Sequence, residues 1–156
     1  MFIKSPFVLI VPLGILLLVA AMSCASRRRP KLRLSEGRLS PCPDSPNCVC
    51  SEDKGKPSWI EPLALQGDPD KAWEKLKDIV EKMGGTIERE DDGYLRATFR
   101  TKLFRFVDDV EFRMDADKRM IHVRSASRVG YSDLGVNRKR VEALRSRFNE
   151  AMNSLP

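Results

Sequence analysis

Four short segments between Thr86 and Ala126 carry a two-residue hydrophobic period and are joined by turns, and no other feature constrains the fold as much. Leu95, Ala97 and Phe99 alternate with Arg96, Thr98 and Arg100. Phe106, Val110, Phe112 and Met114 share one parity, while Ile121, Val123 and Ser125 alternate with His122, Arg124 and Ala126. A first, shorter strand is expected over 86–90, and Asp91-Asp92-Gly93 and Asp115–Lys118 read as tight turns. Parallel neighbours need a crossover of about a dozen residues or more, so these strands must run antiparallel as a meander.

A sheet of this kind must bury one face, and two helical patterns are available to do it. Asp68 is a suitable N-cap, Pro69 suits the first helical position, and Gly84-Gly85 ends the run. Ala72, Trp73, Leu76, Ile79, Val80 and Met83 form its apolar stripe, for which core packing is sufficient explanation. The second helix is expected from Val136 to Met152, with Val141, Leu144, Phe148 and Met152 inside and Arg145, Arg147, Asn149 and Glu150 outside. Residues 41–67 are rich in Pro, Gly, Ser and charge, with Trp59, Ile60, Leu63 and Leu65 as points of contact with the core. The fold class expected is α+β: a four-stranded antiparallel meander with two helices packed on one face, preceded by an irregular, disulfide-pinned arm.

The N-terminus sets the topology. Lys4 precedes an apolar run, Phe7–Met22, that is short for a spanning helix and suited to a signal segment. The run ends in Ala21-Met22-Ser23-Cys24, which is similar to a bacterial lipobox with Cys24 as the lipidated residue. Ala21 and Met22 depart from the usual Leu and small residue. Arg27, Arg28, Arg29, Lys31 and Arg33 follow, and positive charge there opposes export and favours an uncleaved anchor. Both readings tether the protein to a membrane. The division expected is 1–23 signal peptide or anchor, 24–39 basic linker and 40–156 a single domain, placed in the cell envelope on the extracytoplasmic side.

Cysteine spacing bears on that compartment. Cys42 and Cys48, around two prolines and an asparagine, suit a small disulfide loop in an oxidising environment, worth roughly 2 to 3 kcal/mol. The rival is a metal site using Cys42, Cys48, Cys50 and His122, but a structural zinc site usually has paired C-x-x-C knuckles and this chain has none. No metal and no cofactor is expected.

Chemistry concentrates in Arg124–Arg140, with five cations, one carboxylate, three serines and two glycines at a strand-to-helix passage. Arg138, Lys139 and Arg140 stand where a helix begins, an end that is already electropositive. Arginine forks, serine hydroxyls and free helix N–H groups bind phosphate, sulfate or carboxylate. Strand parity puts Asp108 on the core side, where a carboxylate needs an arginine of the final helix or backbone N–H groups. Asp109 points the opposite way, toward Arg96, Arg100, Arg124 and His122. Candidate ligand-binding residues are therefore Asp108, Asp109, Arg124, Ser125, Ser127, Arg128, Tyr131, Asp133, Arg138 and Arg140. The alternative is an internal salt-bridge network in which Asp108, Asp109, Glu111 and Asp133 consume the arginines.

Standard catalytic signatures are missing: there is no nucleophile elbow, P-loop, dinucleotide fingerprint or metalloprotease helix. The chain carries 28 Lys and Arg against 22 Asp and Glu, a net charge of +6 that favours anionic partners. Nucleic acid is disfavoured, since the basic residues lack interleaved aromatics.

Three motifs carry a family resemblance: Gly37-Arg-Leu-Ser-Pro-Cys-Pro-Asp-Ser-Pro-Asn-Cys48, Phe106-Val-Asp-Asp-Val-Glu-Phe112, and Arg124–Arg140. From Gly37 onward the chain resembles the domain-of-unknown-function family numbered 1499, whose members often look like lipoproteins or membrane-attached proteins. The pattern departs at Cys50, where many members carry Ser, which argues against an essential ligand there. The resemblance implies a membrane-attached protein and assigns no reaction. The function expected is an envelope domain that binds an anionic small molecule, lipid headgroup or partner at the Arg/Ser/Asp cluster. Its alternatives are a hydrolase using Asp108 or Asp109 and a purely structural lipoprotein.

Overall fold

The computed structural model describes residues 7–101 and 104–154; Lys4 of the expected signal segment lies outside them. In chain order the elements are α1 (Phe7–Ser26), β1 (Cys48–Cys50), β2 (Leu63–Ala64), α2 (Pro69–Lys82), β3 (Thr86–Asp91), β4 (Tyr94–Arg100), β5 (Val107–Asp115), β6 (Met120–Ser127) and α3 (Val136–Asn153). Strands β3 to β6 form the expected antiparallel meander, ordered β6-β5-β4-β3. The sheet nevertheless has six strands rather than four. β1 pairs with the outer edge of β6 through Cys48↔Ala126 and Cys50↔Arg124, and β2 pairs with β6 through Leu63↔Ile121. The arm is thus only partly irregular: it covers an edge that would otherwise present unpaired N–H and C=O groups.

The helices form where the sequence signals placed them. The Asp68 carboxylate accepts from Lys71 N, Pro69 opens α2, and Ala72, Trp73, Leu76, Ile79 and Val80 are buried. The stop at Gly84 and Gly85 has two causes: Gly84 has φ +87°, and a Cβ on Gly85 would lie 2.8 Å from both Phe99 Cζ and Val80 Cγ1. α3 buries Val141, Leu144, Phe148 and Met152 as expected. Two expectations fail. Arg145 and Asn149 are half-buried rather than outside, with Arg145 donating to the Glu61 carbonyl, and Trp59 is exposed while Ile60, Leu63 and Leu65 enter the core.

The sheet separates two environments. Leu95, Ala97, Val110, Phe112, Ile121 and Val123 meet Leu76, Val80, Leu144 and Phe148 in one apolar core. The opposite face carries Tyr94, Arg96, Thr98, Asp109, Glu111 and Arg124, all buried although most are charged. Among the described residues no helix is long and apolar enough to cross a membrane.

Candidate functional site

Alternation along β5 puts Asp109, Glu111 and Arg113 on the face away from the helices, and register sets Glu111 between Arg96 of β4 and Arg124 of β6. Glu111 is fully buried; it accepts from the Tyr94 hydroxyl at 2.8 Å and from Arg124 Nη1 at 3.0 Å. Asp109 is held by two forks. Arg96 reaches Oδ1 through Nε and Nη2 at 3.2 and 3.0 Å, and Arg128 makes a two-point contact at 2.6 and 2.8 Å. Such carboxylates tolerate burial because each has several charge-assisted donors. Burial, with Glu111 beside it, raises the Tyr94 phenol well above its ordinary value, so Tyr94 acts as donor.

The N-terminal arm covers this face. Arg128 Nη1 donates to the carbonyls of Ser26 and Arg28 at 3.1 and 3.3 Å, and Arg96 Nη1 to that of Pro30 at 3.2 Å. The stretch with the sequence character of a linker is therefore fastened to the sheet by arginines. Glu52 accepts from Leu39 N and Arg113, and Asp53 from Cys42 N and Ser58. The expected Cys42–Cys48 disulfide is present and packs with Leu39, Cys50, Tyr94 and Ala126. Cys50 is buried, and burial pushes its thiol up to about 11, so it is not a nucleophile at neutral pH. Cys24, the expected lipidation residue, is exposed as a free thiol.

Asp108 lies on the core side, as parity requires, and its partner is Arg140 of the final helix at 2.6 Å. The same guanidinium donates to Ser125 Oγ and Asn137 Oδ1 and sits 4.9 Å over the Phe99 ring. Asn137, fully buried, also donates to Ser127 Oγ and the Asn47 carbonyl. Asp133 accepts from Gly135 N and Asn137 N, so the electropositive end of α3 is occupied by the chain's own carboxylate. Arg138 donates to the carbonyls of Pro57 and Trp59, and Tyr131 is 76% exposed and contributes to neither cluster.

The ten candidate residues accordingly fall into separate places. Asp109, Arg124 and Arg128 share the charged face, Asp108, Ser125, Ser127 and Arg140 the rim of the core, and Asp133 and Arg138 the start of α3. Cations gather in two concavities: one of about 430 Å³ is lined by Lys31, Arg33, Arg89 and Arg96, and the other is a cleft of about 470 Å³ lined by Arg28, Arg29, Arg124, Arg128, Ser127 and Asp109. Arg124 Nε is buried there without a hydrogen-bond partner among the described residues. A separate cleft, of about 450 Å³, holds His122 with Glu52, Arg113 and Asp115. Ser51 Oγ contacts His122 Nδ1 at 3.2 Å, yet Ser51 is buried and already accepts from Val123 N. The carboxylates stand 3.9 Å from Nε2, beyond hydrogen-bond reach, so this cluster fastens the arm to β6 and has no charge-relay geometry.

Sequence reasoning missed Glu52, Asp53, Tyr94, Asn47 and Asn137 as organisers of these clusters. Only Asn137 had a usable signal, since Ser125 and Ser127 share the parity of the core face and need a polar partner. Among the described residues no group of His, Cys, Asp and Glu is arranged to hold a metal ion. A family model described as "Protein of unknown function (DUF1499)" matches residues 38–148. No curated protein and no solved structure matches the chain.

Proposed function

We propose that this chain, which belongs to the DUF1499 family, is a membrane-tethered envelope domain that binds an anionic headgroup where its tether meets the sheet. The carrying observation is the charge of that cleft: four arginines line it against one carboxylate, Asp109, whose oxygens are already engaged by Arg96 and Arg128. Glu111 sits behind Arg124 and Glu88 pairs with Arg29, which lowers the excess without removing it. Phosphate, sulfate and carboxylate are the chemistries that two or more guanidinium forks accept. Asp108 and Asp109, each 2% exposed and bound to arginine, serve to orient cations and are poorly placed as bases.

The test is calorimetric titration of the full chain with inorganic phosphate and glycerol phosphate, beside flotation with anionic and neutral vesicles. Replacing Arg28 and Arg29 together with alanine removes two exposed cations and leaves the Arg96–Asp109–Arg128 pairing in place. Binding should weaken about thirtyfold, at about 1 kcal/mol per cation near an anionic surface, with the melting temperature unchanged. Stronger flotation with anionic than with neutral vesicles, without response to free phosphates, identifies a lipid headgroup, and the reverse identifies a soluble anion. A purely structural domain is the second reading, favoured by how completely the inner carboxylates are paired. It predicts no heat and no thermal shift with either probe, and that result sinks the binding proposal.

A further inference from the structure

Between β4 and β5 the described residues Thr101, Arg105 and Phe106 hydrogen-bond one another. Thr101 N donates to the Phe106 carbonyl at 2.9 Å, Arg105 N to the Thr101 carbonyl at 3.1 Å, and Phe106 N to Thr101 Oγ1 at 3.0 Å. Beside these bonds Phe104 stands outward at 45% exposure, its ring 5.6 Å from that of Phe106. Exposed Arg100 and Arg105 flank it. An exposed aromatic between cations suits a bilayer interface, where the ring enters the acyl boundary and the guanidinium groups meet anionic headgroups.

Position strengthens the argument. Phe104 and Arg105 line an apolar groove of about 570 Å³ whose other wall is Ile15, Leu16, Val19, Ala20 and Ser23 of α1. The neighbouring α1 residues Ile15, Leu16, Leu17 and Leu18 are each more than half exposed, so among the described residues nothing covers the helix surface beside Phe104. The helix end is also pinned, since Arg128 holds the carbonyls of Ser26 and Arg28 and Ser26 is fully buried. No slack separates Cys24 from the sheet. If the leader stays, its apolar residues lie beside Phe104. If it is cleaved and Cys24 acylated, the acyl chains leave from the same point.

We propose that Phe104 and Arg105, between β4 and β5, form a second lipid-contacting element, which lays Phe104 into the interface of an anionic bilayer and fixes the domain's orientation on it. This rests on the reading that the N-terminal segment ties the domain to a membrane. The test uses the full chain in vesicles of phosphatidylethanolamine and phosphatidylglycerol and follows a Phe104→Trp variant against wild type, whose Trp59 and Trp73 supply the background. Phe104 is exposed, so equal melting temperatures are expected and are checked first. The added tryptophan should shift to the blue on vesicle binding and lose emission to lipids brominated in their acyl chains, beyond any loss in wild type. Emission that stays at the solvent-exposed wavelength and is not quenched, in protein that floats with the vesicles, overturns the Phe104 contact and leaves the tether standing. Wild-type chain that does not float overturns the tether and the Phe104 contact together.

Discussion

Glu111 and Phe112 are neighbours on β5, both without exposed surface, and they point to opposite sides of the sheet. Phe112 enters a core closed by two amphipathic helices, where burial stabilises without regard to direction. Glu111 enters a face closed by an arm with no regular period, where stability depends on each donor being in place. The two sides therefore solve the same covering problem with different materials. Apolar side chains suffice on one; on the other, arginines pair with carboxylates below and with backbone carbonyls of the arm above.

Substitutions on each side and a change of pH should separate the faces. The largest effect belongs to Phe112→Ala, which should cost about 3–5 kcal/mol by leaving a cavity, read as a denaturation midpoint that is insensitive to salt. Glu111→Gln should cost about 1–3 kcal/mol, because the amide still accepts one hydrogen bond while the Arg124 charge loses its counterpart. Replacing Glu111 and Arg124 together with leucine should recover part of that loss. A Glu111→Gln variant less stable than Phe112→Ala would mean that the charged face, and not the core, carries most of the stability.

The smallest effect should come from pH. Burial, the largest influence, lowers the pKa of His122, and Arg113 and Lys118 act in the same direction against Glu52 and Asp115. Ser51 is its hydrogen-bonding partner from the arm. A histidine whose folded pKa lies below its unfolded value favours the native state most when neutral. Stability should thus hold above about pH 6.5 and fall as the pH drops through the folded value. Melting curves of His122→Gln should lack that acid-side loss, and an unchanged pH profile in the variant would remove His122 from the account.

The helix-facing side was legible in the sequence because periodicity and parity are local. Asp108 was expected to meet either an arginine of the last helix or backbone N–H groups, and Arg140 is its partner. Both α2 boundaries follow from Asp68, Pro69 and the glycines. The arm was not legible for physical reasons. β1 and β2 are too short to show a period, and Arg96 and Arg128 hold the arm by carbonyls that any residue could supply. Asp133 shows the same limit at the site: it was expected to bind a ligand or to neutralise arginines, and its carboxylate instead accepts from the backbone N–H groups of Gly135 and Asn137.

The pairing of β1 with β6 sets an order of events for the growing chain. Cys48–Cys50 is made early, yet its strand partners lie at Arg124–Ala126, beyond all three hairpins of the meander. The meander's contacts join neighbours in sequence and can form quickly, whereas this closure joins distant segments and must wait for β6. The first-made part of the domain is thus the last to settle. The cysteine loop, closing over a sequence separation of only 6, needs no distant partner and can limit the wandering of that segment meanwhile.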